Sequence, residues 1–337
     1  MNLTAAIPVE EASQVGQARR AAALMADRLE FADPEAGRVA LIATELASNL
    51  VKHARGGEFL LRPLDNGDGE RAGIEMLALD RGPGIPDLRA SRQEGFSTAG
   101  TLGHGLSAIE RQADRWDIYT HEGGTAAVAE VWRTGPPPAL QLPPIALGAV
   151  NVSLTGEAVC GDAWTWRLRV NRLAVLVADG LGHGMQANEA AQAAVTVFEK
   201  EHELTPQTLV ENVHLALRAT RGAAISALAV DLERGVARYA GLGNVSCVIL
   251  AAAGTRQSLV SHNGTAGHQA PRIQEFNYPF ARNSVAIMYT DGLGSHWNVN
   301  AYPGIKTRHP TLLAGLLYRD FSRRRDDVTV VVARHRE

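Results

Sequence analysis

The chain has 337 residues, a formal net charge of -3 at pH 7, 45% hydrophobic residues and 20% charged residues. Its length suits two ordinary domains, and its composition is typical of a soluble globular protein. The charge balance gives no indication of a nucleic acid or an anionic membrane as a partner. The two cysteines, Cys160 and Cys247, argue against a disulfide framework or a structural zinc site and favour a reducing cytosol.

The first residues of the chain carry no targeting pattern. Residues 1–11 lack the basic and apolar segments of a secretory signal, and no apolar run approaches the roughly 20 residues that a membrane span needs. We therefore expect a cytoplasmic protein that acts away from membranes.

The first part of the chain combines helical periodicity with short apolar runs. The pattern predicts helices over residues 11–30, 38–54 and 106–113, and strands over 58–62, 74–80, 117–119 and 126–132. Within the second helix, Val39, Ile42, Leu46 and Leu50 form one apolar stripe. We expect two helices packed on one face of a mixed sheet, which is an α/β sandwich.

A proline-rich segment over residues 135–146 separates the two parts of the chain. Five of the fifteen prolines fall within nine of its residues. Each proline fixes φ and removes a backbone donor, so the segment predicts an extended linker. The linker would join a first domain over residues 1–134 to a second over 147–337.

Strand-like runs dominate the second part. They predict strands over residues 164–170, 173–178, 224–231, 235–240, 246–251, 285–290 and 328–333. Helical periodicity predicts helices over residues 186–201, 206–220 and 311–323. This profile is typical of a β-sandwich flanked by helices.

Polar residues of the first domain indicate a nucleotide site. Glu45, Asn49 and His53 are spaced i, i+4, i+8 and therefore share one face of the predicted helix. An amide oxygen there can ligate Mg²⁺, and a carboxylate can accept a proton from an attacking hydroxyl.

Two glycine-rich segments follow that helix. Asp80 ends a predicted strand, where it can accept from an exocyclic amine, while Gly82 and Gly84 let the backbone approach a flat ring. A second segment opens the next helix, where backbone N–H groups can bind phosphates. Its residues are Gly100, Thr101, Leu102, Gly103, His104, Gly105 and Leu106.

Residues 10–133 with these motifs resemble the GHKL (Bergerat) ATP-binding fold of gyrase, Hsp90, histidine kinases and bacterial anti-sigma kinases. The segment 105–132 looks like the switch kinases of bacterial partner-switching modules, which phosphorylate Ser or Thr on STAS-domain antagonists. The resemblance implies ATP and Mg²⁺ as cofactors, Glu45 as general base, Asn49 as Mg²⁺ ligand and Asp80 as adenine-reading residue. It further implies phosphate contacts from the glycine-rich segment, with Lys52 and His53 as additional candidates.

Acidic residues of the second domain stand at the ends of predicted strands and before glycine turns. Such carboxylates can converge on hard divalent cations. Two cations about 4 Å apart can generate a hydroxide and hold the phosphoryl oxygens. The candidates are Asp162, Asp179, Asp291, Asp326 and Asp327. Because neighbouring residues of a strand point to opposite faces, only one of Asp326 and Asp327 should be a ligand.

Residues 147–334 resemble PPM-type protein phosphatases, in particular their small bacterial SpoIIE-like and RsbX-like members, which have an α-β-β-α sandwich. The resemblance implies two Mn²⁺ or Mg²⁺ ions bridged by Asp179, with the carbonyl of Gly180 ligating one of them. Asp162, Asp291 and Asp326 would complete the site, and Asp326 is preferred to its neighbour because the family aspartate lies three residues before a threonine.

Together the resemblances predict a bifunctional regulator that phosphorylates and dephosphorylates STAS-domain partners, and that acts indirectly on an anti-sigma or sigma factor. Two alternatives remain open. The first domain could be a non-catalytic module that senses ATP or holds a partner, which leaves the phosphatase as the only enzyme. It could also capture a sigma factor directly.

Overall fold

The computed structural model describes residues 4–65, 72–88, 105–135 and 144–336. The chain divides into two compact units, one made of residues 3–141 with 299–316 and the other of residues 142–298 with 317–337. Most of the predicted linker, residues 136–143, lies outside the described residues. Within the described ranges, no helix is both long enough and apolar enough to cross a membrane.

The first unit contains one five-stranded sheet. Its strands are β1 (Ala5–Val9), β2 (Gly57–Asp65), β3 (Ala72–Asp80), β4 (Arg115–His121) and β5 (Gly124–Trp132), in the order β1-β2-β3-β5-β4. Every neighbouring pair is antiparallel, so the predicted mixed sheet is wrong. β1 was not predicted, because its five residues include a proline and show too short an alternation to register as a strand.

Among the described residues, three helices lie wholly within the first unit: α1 (Ala12–Arg28), α2 (Asp33–Ala54) and α3 (Gly105–Gln112). α2 begins with a proline in its first turn and ends at Arg55 in the left-handed conformation, φ 59°. Its predicted apolar stripe is buried in the core between helices and sheet, where Ile42 and Leu46 meet Phe59 and Ile74.

The opposite face of this sheet carries a buried polar network. Arg62 Nε lies 2.6 Å from Glu75 Oε1, and the second oxygen of Glu75 accepts a hydrogen bond of 2.7 Å from the hydroxyl of Thr311. His309 Nε2 lies 3.0 Å from Glu130 Oε1. Residues 299–316 belong in sequence to the second predicted domain, and they pack within the first unit.

The second unit contains two five-stranded sheets. The strands are β6 (Ile145–Val152), β7 (Asp162–Arg169), β8 (Arg172–Gly180), β9 (Ala223–Asp231), β10 (Val236–Leu242), β11 (Ser246–Leu250), β12 (Arg256–Ser258), β13 (Phe276–Pro279), β14 (Val285–Tyr289) and β15 (Val328–His335). The sheet orders are β13-β10-β9-β8-β7 and β12-β11-β14-β15-β6. The predicted sandwich is confirmed, while β6, β12 and β13 were not predicted.

Helices α4 (Met185–Glu201) and α5 (Pro206–Ala216) pack on the first of these sheets, and α6 (Pro310–Phe321) precedes β15. One core lies between the two sheets and includes Trp164, Tyr239 and Met288. A second core lies between the sheet and the helices, where Phe198 of α4 meets Leu176. These two cores fix the strand ends that carry the acidic residues.

Candidate active sites

Four predicted carboxylates stand at strand ends of the second unit. Asp162 and Asp179 are direct partners in the antiparallel pair β7–β8. Asp291 follows β14 by two residues, and Asp326 precedes the neighbouring strand β15 by two residues. The structure therefore draws the acids from both sheets of the sandwich.

Two threonine hydroxyls hold the buried carboxylate of Asp162. Thr290 Oγ1 and Thr329 Oγ1 donate to Asp162 Oδ2 at 2.7 and 2.9 Å. Thr329 in turn receives a hydrogen bond from Asn151 Nδ2 at 2.7 Å. These bonds fix the orientation of the Asp162 carboxylate.

The acids raise one another's pKa. Burial raises the pKa of Asp162 well above its usual range, and the charge of Asp179 adds to this effect. Burial, together with the charges of Asp291 and Asp326, raises the pKa of Asp179 to about 7. Burial and Asp326 also raise the pKa of Asp291. A cluster of this kind ionises fully only when cations neutralise it.

The neighbours Asp326 and Asp327 have different roles. Both oxygens of the buried Asp327 accept backbone hydrogen bonds of 2.8 Å, one from Leu154 and one from Gly161. Asp326 is half-buried and electrostatically coupled to Asp179 and Asp291. Asp327 thus ties two loops together, and Asp326 stays the predicted ligand of the pair.

The donor set fits hard divalent cations. Carboxylate oxygens and a backbone carbonyl are the ligands that Mg²⁺ and Mn²⁺ prefer. Gly180 carries that carbonyl, and a Cβ at this position would lie only 2.1 Å from the carbonyl oxygen of Ala187. Only glycine therefore allows the loop to pack here. The residues that would hold the metals are Asp162, Asp179, Gly180, Asp291 and Asp326.

Sequence analysis missed several supporting residues of this centre. Asn244 Nδ2 donates to Asp291 Oδ2 at 2.7 Å, and Glu157 Oε1 lies 2.6 Å from His183 Nδ1 on the loop after β8. Asn244 directly follows Gly241, Leu242 and Gly243, and this glycine-containing stretch is the one sequence signal at its position. Cys160 is buried and its pKa is raised by burial, as expected of a packed, unreactive residue.

In the first unit, α2 and the start of α3 bring three predicted residues together. A Cβ built on Gly105 would lie 3.0 Å from Glu45 Oε2 and 3.4 Å from Asn49 Oδ1. Both side chains are half-buried on one face of α2. The carboxylate and the amide therefore lie against the backbone of Gly105.

Asp80 is positioned by the backbone around it. Its Oδ1 accepts from Gly82 N at 2.8 Å and from Thr125 N at 3.0 Å. Gly84 has φ +74°, and a Cβ there would lie 2.2 Å from the carbonyl oxygen of His121. Both glycines pack closely against protein atoms, Gly82 against Ala54 and Gly84 against His121, and the approach of a flat ring to them stays a prediction.

The other residues predicted to contact the nucleotide are exposed, belong to the core or lie outside the described residues. Lys52 and His53 are exposed on the last turn of α2. Leu106 is half-buried and packs against the core of the first unit. The predicted residues Gly100, Thr101, Leu102, Gly103 and His104 lie outside the described residues.

Two family models match the chain. Residues 7–130 match the family described as "Histidine kinase-like ATPase domain". Residues 169–336 match the family described as "Stage II sporulation protein E (SpoIIE)". The two matches together span both units and leave the proline-rich segment between them.

Each half also has a characterised relative. The serine/threonine-protein kinase RsbT of Bacillus subtilis (strain 168) is 34% identical over 116 residues, which is 34% of this chain and 86% of RsbT. The phosphoserine phosphatase RsbX of the same organism is 27% identical over 138 residues, which is 41% of this chain and 69% of RsbX. Each relative corresponds to one domain only.

Solved structures agree with the fold of the second half. One structure comes from work on the bacterial stressosome, described as a modular system that has been adapted to control secondary messenger signalling. It aligns with a TM-score of 0.53 and 26% identity, over 56% of this chain and 99% of its own. RsbX in complex with magnesium aligns with a TM-score of 0.50 and 23% identity over 56% of this chain and 94% of its own.

Proposed function

We propose that this protein both adds phosphate to protein partners and removes it. The premise is that the chain belongs to the histidine kinase-like ATPase family over its first domain and to the SpoIIE phosphatase family over its second. The first domain would be an ATP-dependent protein serine/threonine kinase. The second would be a metal-dependent phosphatase of phosphoserine or phosphothreonine. Both would act on STAS-domain partners in the cytoplasm, where ATP is available.

One observation carries this proposal: a single chain holds a Glu–Asn pair that faces Gly105 and a four-carboxylate cluster at strand ends. In the first domain, Glu45 would accept the proton of the attacking seryl or threonyl hydroxyl. Asn49, one turn further along α2, would hold the Mg²⁺ of Mg-ATP through its amide oxygen. Asp80 would read the adenine amine.

In the second domain, carboxylate oxygens of the protein would serve as the metal ligands. Divalent cations bound there would supply a hydroxide at neutral pH and neutralise the phosphoryl oxygens. Asp179 pairs with Asp162 across the two strands and feels the charges of Asp291 and Asp326, and it would hold both cations. The threonine hydroxyls on Asp162 keep its carboxylate from rotating during turnover.

Opposed activities on one phosphosite would only hydrolyse ATP. The proposal therefore includes either different STAS substrates for the two domains or a signal that favours one activity. Through its partners the protein would release or sequester a downstream anti-sigma or sigma factor.

The test is an intact-mass measurement on a STAS-domain protein incubated with Mg-ATP and the Asp291→Asn variant. That substitution removes one carboxylate of the phosphatase cluster, so an added phosphate should persist. A gain of one phosphate that Glu45→Ala abolishes supports the kinase, and wild-type protein should then remove it. If no STAS-domain protein gains phosphate although ATP binds, the first domain is a non-catalytic module and the phosphatase is the only enzyme.

A further inference from the structure

The short helix α3 has few apolar contacts of its own to hold it in the first unit. It has eight residues, of which Ser107 and Ile109 are buried. A helix of this length is marginal in water by itself, so its position depends on what its ends contact. Its first residue, Gly105, is also the residue that lies against Glu45 and Asn49. The contacts at the two ends of α3 therefore control the geometry of the proposed nucleotide site.

Arg38 of α2 holds the other end of α3. Its Nε donates a hydrogen bond of 2.7 Å to the carbonyl oxygen of Gln112, the last residue of α3. Its Nη2 donates to Asp114 Oδ1 at 2.5 Å. The last carbonyl groups of a helix have no partner within the helix, and the helix dipole favours a cation beside them. The side chain of Arg38 thus caps the C-terminal end of α3.

Asp114 connects this cap to the sheet. Its Oδ2 accepts a hydrogen bond of 2.7 Å from the backbone N–H of Trp132 at the end of β5, and its own N–H donates to the carbonyl oxygen of Glu130 at 2.8 Å. The ion pair is largely withdrawn from water, since the side chains of Arg38 and Asp114 are 25% and 9% exposed. Solvent therefore screens it less than a surface pair. Arg38 and Asp114 join α2, α3 and β5 at one point.

The contacts at the two ends of α3 have the same spacing on both helices. Arg38 and Glu45 are seven residues apart on α2, and Gly105 and Gln112 are seven residues apart on α3. At 1.5 Å per residue, both intervals are about 10.5 Å long. Seven residues are close to two turns, so Arg38 and Glu45 lie on one stripe of α2. The helix α3 follows this stripe in the opposite direction, with Glu45 against its first residue and Arg38 at its last.

We propose that Arg38 is a positioning residue of the nucleotide site, because its hold on the C-terminal end of α3 keeps Gly105 against Glu45. This inference rests on the proposed nucleotide site of the first domain. Loss of the cap would let α3 shift along α2, and a shift of about 1 Å at its first residue is enough to disturb the alignment of a catalytic group. Arg38 would act through α3, from about 10 Å along the helix that carries Glu45.

The experiment compares Arg38→Ala, Arg38→Lys and Asp114→Asn in full-length protein that also carries Asp291→Asn, so that transferred phosphate persists. Arg115→Ala is the matched control. The side chain of Arg115 is also 25% exposed, and its Nη1 lies 3.5 Å from Glu130 Oε2, in the polar network on the opposite face of the sheet. Calorimetric titration with Mg-ATP measures the affinity, intact-mass time courses with a STAS-domain protein measure phosphotransfer, and thermal denaturation measures stability.

Arg38→Ala should weaken Mg-ATP binding and slow phosphotransfer, each by about tenfold or more, because the groups on α2 and α3 lose their alignment. Arg115→Ala should leave both quantities within about twofold of the parent protein. Arg38→Lys should recover part of the loss, since one ammonium cannot reproduce the two-pronged geometry of a guanidinium. The double variant of Arg38→Ala with Asp114→Asn should resemble Arg38→Ala within about twofold, because both changes remove the same interaction.

An affinity and a phosphotransfer rate of Arg38→Ala within about twofold of the Arg115→Ala control would overturn the proposal. A loss of thermal stability without a loss of nucleotide affinity would overturn it as well, because that result describes a purely structural ion pair. If Arg38→Ala does not fold, Arg38→Lys and Asp114→Asn carry the same test. A smaller loss of affinity in these variants supports the proposal, and equality with the control refutes it.

Failure of the kinase proposal has a different signature, because it appears in the parent protein itself. A parent that binds Mg-ATP but transfers no phosphate has a non-catalytic first domain, and the calorimetric comparison of the variants still tests Arg38. A parent that binds no Mg-ATP removes the nucleotide site and this inference with it. Amide hydrogen exchange of residues 105–112 needs no nucleotide, and Arg38→Ala should speed it about tenfold relative to Arg115→Ala. Equal exchange in the two variants would refute the cap.

Discussion

Asp162 and Asp179 are direct partners in the antiparallel pair β7–β8, so their carboxylates project from the same face of the sheet. Burial raises the pKa of Asp162, and the charge of Asp179 raises it further. An isolated pair of this kind would be destabilising at neutral pH. Its presence at the end of two well-packed strands is understandable if divalent cations lie between the carboxylates.

Metal-free protein should lose stability as the pH rises toward and through about 7. The pKa of Asp179 in the folded protein is about 7, above its usual value. Its stabilising contribution is therefore complete below the unfolded pKa and lost as the pH rises through the folded one. Melting temperatures in chelator should fall between about pH 4 and about pH 7, and Mn²⁺ should stabilise the protein most at the higher pH.

Asp179→Asn provides the control for this pH effect, since an amide does not titrate. The variant should show a weaker pH dependence in chelator and a smaller stabilisation by Mn²⁺. A melting temperature of metal-free wild-type protein that is constant over this interval would contradict the electrostatic interpretation.

Asp326→Asn and Asp327→Asn should affect different properties. Asp327 satisfies the backbone N–H groups of Leu154 and Gly161 in a buried site, and each unsatisfied buried donor costs about 1–3 kcal/mol. Asp327→Asn should therefore lower the free energy of unfolding by about 1–3 kcal/mol in chelator. Asp326→Asn should leave the stability of metal-free protein unchanged or raise it, and should weaken Mn²⁺ binding in calorimetry.

The opposite effects of the two substitutions on stability and Mn²⁺ binding would be detected by the same measurements. If Asp327→Asn weakened Mn²⁺ binding at unchanged stability while Asp326→Asn unfolded the protein, the ligand at the start of β15 would be Asp327. Urea denaturation in chelator and calorimetry with Mn²⁺ distinguish the two results.

Much of this carboxylate cluster could be predicted because it depends on local signals. Asp179 and Asp291 each end an apolar run and precede a glycine, which marks a strand end in the sequence itself. The sandwich followed from the same runs. By contrast, β6 begins within the predicted linker, at Ile145, and its sequence includes a glycine, so no local signal distinguished this strand from the linker.

The supporting residues depend on register across distant strands. Thr290 and Thr329 are 39 residues apart and reach one oxygen of Asp162 only because β14 and β15 pair in one particular alignment. The same holds for residues 299–316, whose packing within the first unit has no signature in their own sequence. Contacts of this kind follow from tertiary packing, which single-sequence patterns do not encode.

Gly105→Ala should impair phosphotransfer in the first domain. The new Cβ would lie 3.0 Å from Glu45 Oε2, closer than ordinary van der Waals contact, so the carboxylate must move by a few tenths of an ångström or more. Misplacement of a catalytic group by about 1 Å can cost about 100-fold in rate. The phosphotransfer rate to a STAS-domain protein should fall by about tenfold or more.

Gly37→Ala is the matched control in the same domain. It lies inside α2, where no atom is within 4 Å of an added Cβ, so alanine should stabilise the helix by about 0.5–1 kcal/mol. Its phosphotransfer rate should equal that of wild type. Equal rates for both variants would remove position 105 from the catalytic geometry.

Glu130 and His309 allow a further prediction, on the acid stability of the first unit. Burial alone would raise the pKa of Glu130, but the hydrogen bond and charge of His309, with the charge of Arg115, outweigh it and lower the pKa to about 2. A lowered pKa stabilises the fold above the unfolded value near 4.5 and loses this contribution as the pH falls through the folded value. Each unit of the shift is worth about 1.4 kcal/mol.

The difference in unfolding free energy between wild type and Glu130→Gln isolates this contribution. It should have its full value near pH 5 and should shrink steadily as the pH falls from about 4.5 to about 3. In a His309→Ala background the pKa of Glu130 should be higher, so the same difference should be smaller at every pH. Urea denaturation across this range measures both series, and a difference independent of pH in wild type would show that the pair does not set the acid limit of stability.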